Sequence, residues 1–189
     1  MKQTILLLRH GATPGNAQHK YIGATDEPLS PEGRAALQGF SYPPADLVYI
    51  SPKLRCRQTA EILFPGATFR EVEDLREMDF GVFEGRSFRE MAQDADYSAW
   101  LDSNCEAPIP GGEVKAGFTE RCCAAFLAVL EQDHAPRLSF LVHGGSIMAI
   151  LSRYGRPSRD YYDWAVDNGK GFLLEWDPET KLLQLLEAY

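Results

Sequence analysis

Several familiar features are missing from this sequence of 189 residues. No apolar run approaches the roughly 18 residues of a membrane span, and residues 1–11 show no small-residue cleavage site of a signal peptide. Four cysteines are present but no CxxC pair, and the four histidines stand at no ligand-like spacing from them, so no metal site is expected. With no secretion signal, these cysteines predict free thiols in a cytoplasmic protein.

Positive charge is also scarce, with 19 Lys and Arg against 27 Asp and Glu and a formal net charge of −8. This balance argues against nucleic acid as a partner, because phosphate-backbone binding needs clustered basic residues. No GxxxxGK[ST] sequence occurs, which excludes a P-loop, and no cysteine has an arginine six residues later, as a cysteine phosphatase would require. The aspartates at 94–98 follow a polar segment rather than a buried strand, which disfavours an aspartate phosphatase. A pocket of two or three arginines can still bind a small anion.

What is present is an alternation of strands and helices. Strands are predicted at 3–8, 46–50, 68–72, 138–142, 171–176 and 181–187, and helices at 31–40, 53–63, 113–132 and 145–154. This order predicts an α/β fold, a three-layer α/β/α sandwich with a mainly parallel central sheet. We expect one domain over 1–189, with a cap-like insertion around 73–112 that carries short helices at 87–93 and 97–103. Ser30-Pro31 and Ser51-Pro52 each look like a helix start with a serine N-cap.

Polar groups follow three of the predicted strands. Arg9 and His10 end the first, Arg55 lies in the first turns of the helix after the second, and His143 ends the strand FLVHGG. Alone, each would more often be an ordinary polar residue, and Arg57 is interpreted as one. The carboxyl ends of parallel strands share one edge, however, so two histidines, two arginines and a helix amino terminus should meet there. That set of groups predicts a site for a tetrahedral anion such as phosphate.

Four segments in order, RHGAT, SPKLRCRQTAE, LREMDFGVFEG and HGG, resemble the signature of the histidine phosphatase superfamily, which has the phosphoglycerate-mutase-like fold. The resemblance runs from Gln3 to about Asp177. The short length and the stretch DADYSAWLDSNCEAPIPGGE are most similar to α-ribazole phosphatases, which act in cobalamin biosynthesis. Cys56 departs from the family pattern, which commonly has alanine there.

The resemblance implies that His10 is a nucleophile that forms a phosphohistidine, with no cofactor. A neutral imidazole has a lone pair near pH 7, and its other ring nitrogen would donate to a backbone carbonyl of the glycine loop. Glu77 would be the general acid, in a segment apolar enough to raise its pKa, and later the base that activates water. His143, expected to be protonated beside the phosphate, would be a further donor to it.

The remaining expectations concern binding. Arg9, Arg55, Asn16 and the backbone N–H of Gly144 would hold the phosphate of a small phosphorylated substrate. Two aromatic residues of the predicted cap, Tyr97 and Trp100, would either pack inside the protein or stack on an aromatic substrate, and Glu84 is interpreted as structural. A mutase, a broad-specificity phosphatase and a non-catalytic phosphate-binding module stay open as alternatives. The compact length favours hydrolysis, and a homodimer is left open.

Overall fold

The chain folds around one seven-stranded sheet in the computed structural model, which describes residues 1–189. The strands are β1 (Gln3–Arg9), β2 (Leu47–Ile50), β3 (Phe69–Glu71), β4 (Arg137–Val142), β5 (Gly155–Arg156), β6 (Gly171–Asp177) and β7 (Leu182–Ala188). The helices are α1 (Pro14–Ala17), α2 (Pro31–Leu37), α3 (Leu54–Leu63), α4 (Ala95–Asp102), α5 (Lys115–Gln132) and α6 (Gly144–Tyr154). Every predicted strand is present, and β5 and α1 are additional.

The strand order is β3-β2-β4-β1-β6-β7-β5. Strands β3, β2, β4 and β1 are mutually parallel, whereas β6 runs antiparallel to both β1 and β7. The sheet is therefore mainly parallel, as predicted. Arg9 is level with Val142 on β4, and Leu141 of the same strand is level with Ile50 on β2. The carboxyl ends of these three strands consequently form one edge.

Alternate residues of β1 point to opposite faces, which is what makes the sheet the middle of three layers. Ile5 and Leu7 belong to a core cluster that includes residues of α5 and α6, such as Phe126 and Ile147. Leu6 and Leu8 belong to a second cluster on the other face, together with residues of α3. All four side chains of β1 are buried, so a polar substitution at any of them would leave an unpaired group in a packed layer. The predicted α/β/α sandwich is confirmed.

The two predicted serine caps have different outcomes. Ser30 caps α2, and its Oγ accepts from the N–H of Gly33 at 2.9 Å. Ser51 does not cap α3, which begins three residues later with Lys53 at its N-cap and no side-chain cap bond. The reason is that the N–H of Ser51 still donates to Leu141 O at 3.0 Å, so this residue continues the strand ladder.

The segment between β3 and α5 contains 3₁₀ helices at Glu73–Leu75 and Gly81–Phe83 and then α4. The helix predicted at 97–103 corresponds to α4, but the helix predicted at 87–93 is wrong, because that stretch forms successive turns. Ser87 pairs with Lys20 in an isolated bridge, which bends the chain away from a helical path. Phe83, Met91 and Trp100 pack with residues of α5 and α6 in a third cluster.

Three further observations bear on the sequence-based expectations. All four cysteines are free, and three of them are buried. No helix has both the length and the apolar character needed to cross a bilayer. No three side chains among His, Cys, Asp and Glu are grouped in a way that could hold a metal ion.

Candidate active site

Two histidines from neighbouring parallel strands meet at the carboxyl edge of the sheet. The rings of His10, after β1, and His143, after β4, have centroids 5.2 Å apart and planes inclined by 66°. The N–H of His10 donates to Val142 O at 3.0 Å, which ties the two strand ends together. The predicted meeting of the two imidazoles is therefore observed.

The His10 ring is held in one orientation. Its Nδ1 lies 2.7 Å from the carbonyl oxygen of Gly11, so Nδ1 carries the proton and Nε2 keeps the lone pair. The residue is only 4% exposed. Burial, followed by the charges of Arg55 and Arg9, holds the pKa of His10 well below its ordinary 6.5. At neutral pH the ring is uncharged and nucleophilic at Nε2.

His143 is held by a neighbouring serine at the same edge. It is fully buried, and its Nε2 lies 2.7 Å from Ser51 Oγ. Burial lowers its pKa well below 6.5, and the charge of Arg55 lowers it further. Without a bound anion His143 is therefore neutral, and its protonation beside a phosphate stays a prediction. Only a bound anion could offset the repulsion from the two arginines.

Each of the two predicted arginines has some guanidinium nitrogens that donate to backbone carbonyls and one, Nε, that has no partner. Arg9 Nη1 donates to Val166 O at 2.8 Å, and Arg55 donates to Thr25 O at 2.8 Å and Gly23 O at 3.1 Å. The Nε atoms of both arginines are buried without a hydrogen-bond partner. Such orphaned donors are costly unless a ligand satisfies them. Arg57, by contrast, pairs with the carboxylate of a neighbouring strand at the surface, as its interpretation as an ordinary polar residue predicts.

Glu77 lies at the amino end of α6. Its Oε2 accepts from the N–H of Gly145 at 3.0 Å and its Oε1 from the N–H of Met78 at 3.0 Å. Burial raises the pKa of Glu77, although these N–H groups and the two arginines act in the opposite direction. The raised pKa agrees with the expectation from the apolar segment.

Glu84 has a structural role, as predicted. Its carboxylate accepts from backbone N–H groups, among them those of Gly23, Ala24 and Phe80.

A cavity of about 320 Å³ opens at this edge. Five predicted site residues line it: Arg9, Asn16, Glu77, Trp100 and Gly144. Its wall also contains aromatic rings and two lysines: Tyr21, Phe80, Tyr161, Tyr162, Lys20 and Lys115. His10, Arg55 and His143 are buried beside the cavity rather than in its wall.

Only one of the two aromatic residues predicted for the pocket lines the cavity. Trp100 lines the cavity. Tyr97 does not, and its hydroxyl instead lies 2.9 Å from the hydroxyl of Tyr21, which is part of the cavity wall. The prediction of Tyr97 as a pocket residue is wrong. It supports the wall from behind, through a contact with Trp100 at a centroid distance of 6.0 Å.

Sequence reasoning missed three residues that hold the site in place. Ser51 orients His143, Thr59 Oγ1 accepts from the N–H of Gly11 at 2.9 Å, and Asn168 Nδ2 donates to His10 O at 3.1 Å. Ser51 was interpreted as a cap, and Asn168 stands in an ordinary Asn-Gly turn sequence. Nothing local in the sequence distinguishes these residues from others of the same type.

The fold and the site together are typical of a phosphoryl-transfer enzyme with its pocket at the carboxyl edge of the sheet. The charges of both Arg55 and Arg9 act on His10 there, so its surroundings are locally positive on an acidic chain. The chain belongs to the histidine phosphatase superfamily (branch 1), whose family model matches residues 5–188.

Individual relatives cover nearly the whole chain. The adenosylcobalamin/alpha-ribazole phosphatase of Escherichia coli is 26% identical over 96% of this chain and 94% of its own. The crystal structure of the alpha-ribazole phosphatase from Shigella flexneri superposes with a TM-score of 0.81 at 28% identity, covering 98% of this chain and 96% of the other. A phosphoglycerate mutase from Thermus thermophilus gives a TM-score of 0.74 at 30% identity and covers 98% of both chains. The fold is thus shared with both phosphatases and mutases.

Proposed function

We propose that this chain hydrolyses phosphomonoesters through a phosphohistidine on His10 and that α-ribazole 5′-phosphate is its substrate. The observation that carries the proposal is the state of His10, neutral, with Nδ1 engaged by Gly11 O and Nε2 free. The orphaned Nε atoms of Arg9 and Arg55 support a phosphate beside it.

In the first step, Nε2 of His10 attacks phosphorus and the bond from phosphorus to the leaving oxygen breaks. The electron pair of that bond goes to the leaving oxygen, which takes the proton of the Glu77 carboxyl group. The raised pKa of Glu77 favours the protonated form that this step needs. Phosphoryl transfer depends mainly on charge neutralisation and positioning, which Arg9 and Arg55 would supply.

The other phosphate contacts would come from the helix start and the loop after β1. The N–H of Gly144 is at the amino end of α6, where the helix dipole favours an anion. Asn16 lines the cavity and would donate from its amide. His143 would gain its proton as the phosphate dianion binds, since the anion offsets the charge of Arg55 that lowers its pKa.

In the second step, the Glu77 carboxylate takes a proton from water, and the water oxygen attacks phosphorus. The bond between phosphorus and Nε2 breaks, its electron pair returns to His10, and inorganic phosphate leaves. Glu77 is again protonated and His10 again neutral, so the enzyme is ready for another turnover. Glu77 lines the cavity, through which water would reach this position.

The choice of substrate rests on the cavity wall and on the relatives. Aromatic rings such as Tyr21, Phe80 and Trp100 form one side of the cavity, and a planar aromatic leaving group would stack on such a surface. The Escherichia coli and Shigella flexneri relatives that match nearly the whole chain are named alpha-ribazole phosphatases.

A substrate panel with phosphoenzyme trapping tests the proposal. We expect kcat/KM for α-ribazole 5′-phosphate to exceed those for glycerol phosphate, phosphoserine and 3-phosphoglycerate by about tenfold, or about 1.4 kcal/mol. An acid-labile, base-stable label from ³²P-substrate should appear on wild type and be absent from His10→Ala, which should not turn over. Equal kcat/KM values across the panel would indicate broad specificity. Interconversion of phosphoglycerates in the presence of bisphosphoglycerate would indicate a mutase, and phosphate binding without any turnover a binding module.

We also infer a cytoplasmic location, supported by the four free thiols. The homodimer stays a prediction. Size-exclusion chromatography with light scattering would decide it.

A further inference from the structure

We propose that Asn168, on the loop before β6, is a positioning residue that turns the Asn16 amide into a phosphate donor. The inference rests on the proposed function, because it assigns the phosphate a further support. Asn168 has no place in the cavity wall and so would act entirely through other groups.

The hydrogen-bond partners decide the orientation of both amides. The backbone N–H of Thr13 lies 3.2 Å from one end of the Asn16 amide, so that end must be the acceptor Oδ1. Asn168 faces the carbonyl oxygen of His10 at 3.1 Å and Asn16 Oδ1 at 3.1 Å. Both are acceptors, so the Asn168 atom between them must be Nδ2.

The other end of the Asn16 amide, Nδ2, is left free by these contacts. Its Oδ1 takes both protein contacts, from Thr13 and from Asn168, and its Nδ2 is left without a protein acceptor. Asn16 lines the cavity, so this free donor is available to an anion there. Thr13 and Asn168 therefore together hold Asn16 with Nδ2 as the end that an incoming phosphate meets.

The loop that carries Asn168 is itself anchored to the nucleophile strand. The N–H of Gly169 donates to Arg9 O at 3.1 Å and His10 O at 3.0 Å, and Val166 O accepts from Arg9 Nη1. The same few residues thus position Arg9, the His10 backbone and the Asn16 amide. The position of the Asn168 amide is therefore fixed relative to the proposed phosphate site.

A double-mutant cycle tests the assignment. Asn16→Ala and Asn168→Ala should each raise KM for p-nitrophenyl phosphate and Ki for inorganic phosphate, by about tenfold for Asn16→Ala, the effect of one hydrogen bond to a charged group. The rise in KM should come with little change in kcat, since a phosphate contact acts on ground and transition states alike. The double variant should match Asn16→Ala within about twofold. Multiplying effects would mean that Asn168 acts independently of Asn16 and would overturn the proposal.

Gln3→Ala is the matched control. Gln3 Nε2 also joins two backbone carbonyls, those of Asp133 at 2.8 Å and Ala135 at 2.9 Å, but at the opposite end of β1. It should lower Tm and leave KM and Ki unchanged. If Gln3→Ala raised Ki as much as Asn168→Ala does, a general loss of stability would explain both, and the proposal would fail.

A second variant covers the case in which Asn168→Ala does not fold. Asn168→Asp keeps the shape but replaces the donor with an acceptor, so its oxygens oppose His10 O and Asn16 Oδ1. It should raise Ki for phosphate at least as much as Asn16→Ala, and wild-type KM and Ki would refute the assignment. Calorimetric titration with inorganic phosphate reports on Asn168 even if wild type hydrolyses nothing. A failure of the proposed function is therefore distinguishable from a failure of this inference.

Discussion

Substitution of Gly145 by alanine should impair proton donation from Glu77 to the leaving group without impairing the attack of His10. A Cβ at this position would lie 3.1 Å from Glu77 Cδ and 3.2 Å from Phe118 Cζ, and it would overlap Glu77 Oε1. The Phe118 ring is fully buried and cannot retreat, so the carboxyl group must move. Restoring ordinary contact requires a shift of about 1 Å, and a misplacement of that size costs on the order of 100-fold in rate.

The loss of kcat/KM in Gly145→Ala should depend on whether the leaving group of the substrate needs a proton. For glycerol phosphate, whose alkoxide needs a proton, we expect kcat/KM to fall about 100-fold, or about 2.7 kcal/mol of transition-state stabilisation. For p-nitrophenyl phosphate the fall should be less than about threefold, because the nitrophenolate leaves without a proton. The value kcat/KM is the right measure, since it reports the transfer to His10 and excludes the later hydrolysis.

Gly117→Ala provides the control. Gly117 lies in α5 with nothing within 4 Å of its added Cβ, so alanine there should stabilise the helix by about 0.5–1 kcal/mol and leave both substrates unaffected. Equal losses of Gly145→Ala on the two substrates would refute the acid role of Glu77. Wild-type activity of Gly145→Ala on glycerol phosphate would refute the steric reasoning.

Three further outcomes are expected. The lowered pKa of His10 should keep kcat/KM high as the pH falls below 6.5. The raised pKa of Glu77 should produce a decline of kcat/KM at alkaline pH for glycerol phosphate, which needs the proton, but not for p-nitrophenyl phosphate. Identical pH profiles for the two substrates would contradict the assignment of Glu77 as the acid. Trp100→Ala should raise KM for α-ribazole 5′-phosphate by several-fold, from a stacking contribution of about 0.5–1.5 kcal/mol, and leave glycerol phosphate unchanged. Tyr97→Phe, outside the cavity, should leave both KM values at wild type, and parallel effects of the two variants would argue against stacking. Glu84→Ala should lower the free energy of unfolding in urea by about 1–3 kcal/mol, because backbone N–H groups of the 23–25 loop lose their acceptor, and an unchanged midpoint would show that water replaces it.

The sequence by itself determined the sheet and the edge at which the site lies. Short apolar strands that alternate with helices specify the layers, and polar residues that follow three parallel strands must meet at one edge. His10 and His143 were predictable for that reason. The one false helix, at 87–93, fell where a single bridge to Lys20 outweighed local propensity.

Only the tertiary structure decided the charge states and the supporting contacts. Whether His143 is protonated depends on burial and on the distance to Arg55, neither of which is written in its neighbours along the chain. Asn168 reaches Asn16 across 152 positions, and Ser51 reaches His143 across 92. Contacts between such distant positions exist only after the chain has folded, because no local pattern encodes which side chain a loop will bring to a given atom.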